Sequence, residues 1–314
     1  MNELSTCTPG MQHHDFWAVL TLDGRTIDRM LLPFLTRLGV AGVMMSMHYA
    51  SLMDRRALPN LPVFVDSGGF ALLARQGRIE RNAETWDLVL PATQTGGEED
   101  RLNAAAVLDF QSAFDRGATL DAPIPPGLDR AQVRQRLEAT ITNAAWASAQ
   151  PRPASFALYA SVQGDTVEDY RQCAREMDRM AVDGMAVGGL VPRVKRDPRL
   201  VIDILDGIRA VTDKPLHLFG MGQPRLIQTL REHGANSFDS SSPMRAAASG
   251  ITWGGATLPD AAPLERLRAT LSNIASITGA TVPAAPLASS ARAPLPRASA
   301  TKKGRAPARR AARG

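Results

Sequence analysis

The chain has 314 residues, 44% hydrophobic and 21% charged, which suits one large α/β domain or two ordinary ones with an ample core. No apolar run approaches the ~18 residues that span a bilayer, residues 1–14 lack the basic-then-apolar order of a secretory signal, and Cys7 and Cys173 alone rule out a Cys-rich zinc site and leave no basis for a disulfide framework. The formal charge of +5 misleads, because residues 283–314 carry eight Lys or Arg and no acid; the remaining 28 bases face 31 acids, a net of −3.

We therefore expect a cytoplasmic protein with reduced thiols. Its nucleic-acid affinity, if it has any, must come from a local patch or from the basic 283–314 segment.

Residues 1–15 read as an irregular lead-in and 16–22 as a first strand. Helical spacing then runs through Ile27, Leu31, Leu32 and Leu35. Two apolar strands follow over 42–47 and 63–65, the second ending on Asp66-Ser67-Gly68-Gly69-Phe70. Arg75-Gln76-Gly77-Arg78 reads as a hairpin tip within an insertion over 71–95, closed by Gly96-Gly97. A helix is expected over 98–116, with Leu102, Ala105, Ala106, Phe110 and Phe114 on one face. Ala118-Thr119-Leu120 is a strand ending on Asp121, and Asp129 then caps a long helix to about residue 149.

From there the alternation is regular, which implies a parallel sheet. Strands over 155–162, 185–187 and 216–219 end on Gln163-Gly164, Gly188-Gly189-Leu190 and Gly220. Helices over 167–181, 197–211 and 224–233 separate them. The strand Ser237-Phe238 runs into Asp239 and a Ser/Pro loop, and 257–278 reads as a closing helix with Leu264, Leu267, Leu271 and Ile274 periodic. About eight strands favour a single (β/α)8 barrel over 1–282 rather than an open doubly wound sheet. Residues 283–314, rich in Ala, Pro, Arg and Lys, are too poor in large apolar residues to offset their ordering entropy and are expected to be disordered.

Asp66, Asp121, Gln163, Gly188-Gly189, Gly220 with Gly222, and Asp239 all fall at the C-terminal ends of predicted strands. In a barrel those ends converge on one mouth, where the chemistry sits. Each has a bland reading as well: Asp66 and Asp121 as turn residues, Asp239 as a cap of the next helix, and the glycines as tight loops. His13, His14, His48, His217 and His233 are scattered and read as structural.

Six motifs resemble the tRNA-guanine transglycosylases in order and rough spacing. They are Val65-Asp66-Ser67-Gly68-Gly69-Phe70, Leu120-Asp121-Ala122-Pro123-Ile124-Pro125-Pro126, Val162-Gln163-Gly164, Ala186-Val187-Gly188-Gly189-Leu190, Leu218-Phe219-Gly220-Met221-Gly222 and Phe238-Asp239-Ser240. The resemblance covers about residues 42–253, and the middle motifs look closer to the archaeosine branch than to the queuosine branch. It implies an irregular (β/α)8 barrel that exchanges guanine in a polynucleotide for a free 7-deazaguanine through a covalent glycosyl–enzyme intermediate. Carried over, Asp239 would be the nucleophile at C1′ and Asp66 the acid/base for the departing and arriving base. Asp121 and Gln163 would bind the polar edge of the base, and the backbone of Gly189 and Leu190 its carbonyl side. Phe70 and Phe219 would stack on its faces, with a core role competing for both. Ser67, Gly68, Gly188 and Gly220 complete the implied base-binding set.

The residue types suit such chemistry. A carboxylate can trap C1′ while a second group protonates the leaving base, carboxylates accept from the N1–H and amine of guanine, and aromatic faces receive an unstacked base.

The departures from the family pattern are specific. The usual zinc site, three Cys and a His after the nucleophile strand, is missing, so no metal or other cofactor is expected. Of two arginines in the bacterial loop after the nucleophile, Arg245 matches one and Ala248 stands at the other. The archaeal branch's extra C-terminal RNA-binding domains are not expected either. The partners implied are tRNA or, in a DNA-modifying branch, DNA; the free 7-deazaguanine base; and a homodimer mate or partner subunit. No membrane is implied. A non-catalytic nucleic-acid-binding barrel and an unrelated barrel glycosidase or aldolase are the other readings. Arg75, Arg78, Arg193, Lys195, Arg196 and Arg245 are the candidates for a phosphate patch.

Overall fold

The eight apolar runs close into one barrel in the computed structural model, which describes residues 15–21, 26–47, 60–92, 98–258 and 262–282. Strands β1 (Phe16–Val19), β2 (Gly42–Ser46) and β3 (Val63–Asp66) come first. A separate three-stranded sheet follows, made of β4 (Arg78–Arg81), β5 (Trp86–Leu90) and β6 (Asp100–Leu102). The barrel resumes with β7 (Arg116–Ala118), β8 (Ala157–Val162), β9 (Gly184–Val187), β10 (Leu216–Leu218) and β11 (Ser237–Ser240). Around the barrel the order is β1-β11-β10-β9-β8-β7-β3-β2, with every neighbouring pair parallel.

The helices are α1 (Thr26–Leu35), α2 (Ala71–Ala74), α3 (Ala104–Gln111), α4 (Arg130–Ala149), α5 (Val167–Asp178), α6 (Leu190–Val194), α7 (Pro198–Arg209), α8 (Pro224–Glu232), α9 (Ser242–Ala248) and α10 (Pro263–Thr278). Among the described residues none is long and apolar enough to cross a membrane. The lead-in expected before Asp15, the side chain of Ile27, the Gly96-Gly97 closure and the 283–314 tail lie outside the described residues.

Side chains on a strand alternate between two faces, and the barrel uses both. Phe16, Ala18, Val43, Met45, Val63, Val65, Leu158, Ala160, Leu216, Leu218 and Phe238 face outward into the layer shared with the helices. Their neighbours Trp17, Met44, Phe64, Ala118, Tyr159 and Ala186 fill the axis as a separate cluster. Phe64 lies at the centre of that cluster, with ring centroids 5.7 Å from Trp17, 5.3 Å from Tyr159 and 4.9 Å from His217. The same alternation turns Asp66, Gln163 and Asp239 toward the axis at or just beyond the upper ends of their strands.

Helix starts follow their caps. Asp129 with Gln132 and Thr166 with Asp169 form capping boxes on α4 and α5, and Asp197 caps α7 with Pro198 in its first turn.

Four expectations need correction. The helix expected over 98–116 is shorter, because Asp100–Leu102 pairs with β5 and the side chain of Asn103 accepts from Ala106 N to start the helix at Ala104. Ala105 and Ala106, expected on its buried face, are exposed, while Val107 and Leu108 are buried. The hairpin tip is at Asn82–Thr85, where Asn82 Oδ1 accepts from Thr85 N at 2.8 Å; Arg75–Gly77 instead ends α2. After Asp239 the Ser/Pro segment forms α9 instead of a loop, and the closing helix begins at Pro263 rather than at residue 257, with Leu264 left exposed.

The excursion has its own apolar cluster, in which Trp86, Leu88, Leu90 and Leu102 meet Leu72, Val107 and Leu120. Asn143 on α4, fully buried, fastens it to the barrel: its Oδ1 accepts from Trp86 N at 2.8 Å and its Nδ2 donates to Trp86 O at 3.0 Å. Asn143→Ala strands both backbone groups, so unfolding free energy should fall by about 2–4 kcal/mol in urea denaturation. A loss below about 0.5 kcal/mol would mean that the tie is not structural.

Candidate active site

The mouth of the barrel holds a cavity of about 330 Å³, within the usual range of small-molecule sites. Asp66, Ser67, Phe70, Asp121, Gln163, Gly188, Gly189, Phe219, Gly220 and Asp239 line it, so the strand-end residues singled out in the sequence do converge. Its remaining wall is mostly apolar, with Met44, Leu73, Ile124, Pro125 and Val191 among the contributors and Thr21 and Ser46 as polar members. Gly68, Leu190, Gly222 and Arg245 are not in the lining. Gly68 N donates to Asp66 Oδ1 at 2.8 Å, the Leu190 side chain is fully buried in the outer core, and Arg245 is exposed on α9.

The carboxylates are wired differently. Both oxygens of Asp121 are engaged: Ser67 Oγ donates to Oδ1 at 2.6 Å and Gln163 Nε2 donates to Oδ2 at 2.7 Å. That bond fixes the orientation of the Gln163 amide and leaves its Oε1 buried without a partner among the described residues. A Cβ at position 188 would collide with that amide, which is why glycine is needed there. Asp239 uses one oxygen only, Oδ1, which accepts from Gly220 N at 3.0 Å and faces His217 Nε2 at 3.1 Å. Phe70 is 72% exposed above the cavity, and Phe219 packs edge-on to His217 at 5.3 Å.

The fold reveals the surroundings of two further residues. His217, read as structural, lies in the axis, fully buried and bonded to Asp239. The parity of Leu216-His217-Leu218 around two outward leucines could have found it. Arg193, read as a phosphate ligand, is 3% exposed. It donates to Gly189 O at 2.7 Å, Gly164 O at 2.9 Å, Ile124 O at 3.3 Å and Asp165 Oδ1 at 3.1 Å. Tyr170 Oη, beneath its guanidinium, donates to Gly188 O at 2.9 Å, so both carbonyls of the glycine pair are held in place. Arg75 and Arg78 form ion pairs, with Asp100 and with Glu99 and Glu80 respectively.

The zinc site that the resemblance leads one to seek does not fit these residues. No Cys follows Cys173, which is buried in α5, and among the described residues no group of three or more His, Cys, Asp or Glu is disposed to hold a metal.

Burial pushes the Asp66 carboxyl up to about 6, with Asp239 and Asp121 adding repulsion, against the opposing bonds from Gly68 N and Ser46. Burial also raises Asp121, against the bonds from Ser67 and Gln163. The unfolded chain releases the Asp66 proton near 3.8 and the folded chain near 6. Between those values the native state binds more protons, so stability falls as pH rises, and the full cost remains above that window. Asp66→Asn removes it. The variant should exceed the parent by about 1–3 kcal/mol at neutral pH, with the gain vanishing in acid below the unfolded value. Denaturant midpoints across that range read it; equal stability throughout would refute a desolvated Asp66.

A family model described as Queuine tRNA-ribosyltransferase matches residues 46–261, well over half of the chain. A tRNA-guanine(15) transglycosylase of Methanocaldococcus jannaschii is 33% identical over 144 residues, which cover 43% of this chain and 22% of that protein. A queuine tRNA-ribosyltransferase of Thermosipho africanus is 31% identical over 201 residues, 62% of this chain and 54% of that protein. A tRNA-guanine(15) transglycosylase of Methanopyrus kandleri is 34% identical over 188 residues, 57% of this chain and 35% of that protein. The chain thus spans between about a fifth and about half of the length of these relatives. Since the matched region runs from the end of β2 past α9 and holds all three cavity carboxylates, the chain belongs to the queuine tRNA-ribosyltransferase family of tRNA-guanine transglycosylases.

Proposed function

We propose that the protein is a pentosyltransferase that replaces a guanine in a polynucleotide by a free 7-deazaguanine. The observation that carries this reading is one small cavity holding three carboxylates with separate bonding: Asp66 desolvated, Asp121 held by one donor on each oxygen, and Asp239 with one oxygen restrained. In the first half-reaction Asp239 attacks C1′, the C1′–N9 bond breaks, and protonated Asp66 gives its proton to the leaving base. In the second, the Asp66 carboxylate takes the N9 proton of the incoming base, N9 attacks C1′, and Asp239 departs. Asp121 and the unpartnered Gln163 Oε1 are acceptors suited to the N1–H and amine edge of the base. Phe70 and Phe219 offer the flat apolar faces that an unstacked base needs.

tRNA is the acceptor we favour, since the relatives are named for it. The lack of fitting zinc ligands after Asp239 keeps DNA as a second acceptor. Lys195, Arg196, Arg225 and Arg245 are exposed on segments following β9, β10 and β11, and they form no ion pair among the described residues. We assign them to the phosphate backbone.

Labelled guanine should enter bulk tRNA with the purified protein, with duplex DNA run in parallel; label in DNA alone would move the acceptor. Asp239→Asn should abolish both label entry and the covalent adduct, and normal turnover by that variant would sink the assignment. A Lys195→Ala/Arg196→Ala variant should weaken polynucleotide binding without regard to sequence and lower the salt slope by about two. An unchanged slope would remove these two residues from the backbone track.

A further inference from the structure

His217 is a titratable side chain in the barrel axis to which the exchange chemistry gives no task. Its ring is fully buried, with centroids 4.9 Å from Phe64 and 5.3 Å from Phe219, so it cannot swing toward a ligand. Both ring nitrogens have partners. Nδ1 lies 2.8 Å from Ser237 Oγ, and Nε2 lies 3.1 Å from Asp239 Oδ1. Ser237 and Asp239 are two apart on β11, and His217 is opposite Ser237 in the β10–β11 ladder, so the three inward-facing side chains form one chain of hydrogen bonds.

We propose that His217 is a positioning residue for Asp239. Its Nε2–H and the Gly220 N–H hold Oδ1, Ser237 donates to Nδ1 and so fixes the tautomer, and Oδ2 is left as the oxygen that attacks C1′. The tautomer follows from the neighbours: a carboxylate oxygen can only accept, so the proton belongs on Nε2, and Ser237 satisfies the bare Nδ1. Two donors on one oxygen fix both the rotation of the carboxylate and which oxygen is free. Among the described residues Oδ2 has no hydrogen-bond partner, and Asp239 lines the cavity. When Oδ2 bonds to C1′, Oδ1 becomes the ester carbonyl and keeps both donors. When N9 of the incoming base displaces Asp239, the electron pair of the C1′–Oδ2 bond returns to a carboxylate that those donors stabilise.

The inference rests on Asp239 as nucleophile, and two readouts separate the two claims. Nitrogen-15 NMR of the ring in the full-length protein reads the protonation of Nε2 with no substrate present. A proton on Nε2 supports the proposal; a bare Nε2 facing Asp239 overturns it whatever the protein's activity. The second readout is kinetic. His217→Phe keeps an aromatic ring between Phe64 and Phe219 and removes the donor. Covalent adduct formation should fall on the order of 100-fold, while the Kd for free guanine stays within about twofold, since Asp121 and Gln163 hold the base. His217→Gln, which restores a donor, should recover part of the rate, and Ser237→Ala should give a smaller loss of the same kind. A wild-type rate in His217→Phe, or a loss confined to guanine affinity, overturns the proposal. Turnover by Asp239→Asn would instead remove the reading beneath it.

Discussion

Period-two alternation on a closed ring of parallel strands is the constraint on which the rest depends. A strand in this barrel has no solvent face: one side meets the helices and the other meets seven other strands across the axis. Every second residue is therefore committed to the axis, whatever its polarity. Phe64 and Asp66, His217 and Phe219, and Ser237 and Asp239 are consecutive inward positions on their strands. The lower members lie within the axis, while the upper members line the cavity. Depth in the barrel thus separates what supports the cavity from what faces it on the same strand.

Gathering carboxylates at the top of an apolar ring has a physical cost, and the surroundings divide it unequally. Asp121 and Asp239 each receive two donors, which offset lost hydration. Asp66 has the Gly68 N–H and Ser46 against burial and two like-charged neighbours, and burial prevails. The cavity therefore differentiates three chemically similar groups by their surroundings, with burial and like charge outweighing two donors at Asp66. That difference suits a proton carrier beside a nucleophile.

Much of this was legible in the sequence because doubly buried strands read as short apolar runs, and six of the eight ended on a residue too polar or too small to continue the run. Caps such as Asp129 and Asp197 set helix starts by local hydrogen bonding, which sequence exposes directly. The excursion between β3 and β7 was harder, since Asp100–Leu102 buries only Leu102 and owes its strand form to pairing with β5. Asn103, an ordinary N-cap, was the overlooked signal that the helix began later. Arg193 could not be told from Lys195 and Arg196 by local pattern. What distinguishes it is the path of loops remote in sequence, which surround its guanidinium with carbonyls. His217 was recoverable from parity, but only once the strand was assigned to a closed barrel.

The loops of a (β/α)8 barrel are usually regarded as independent modules that can be exchanged without disturbing their neighbours. The Arg193 side chain removes that independence here. One guanidinium joins the loops that follow β7, β8 and β9, through Ile124, Gly164 with Asp165, and Gly189. Grafting any one of these loops from another barrel would strand the donors that the other two were shaped around. For redesign or divergence, this side of the mouth behaves as a single heritable unit, and specificity there must change in concert or not at all.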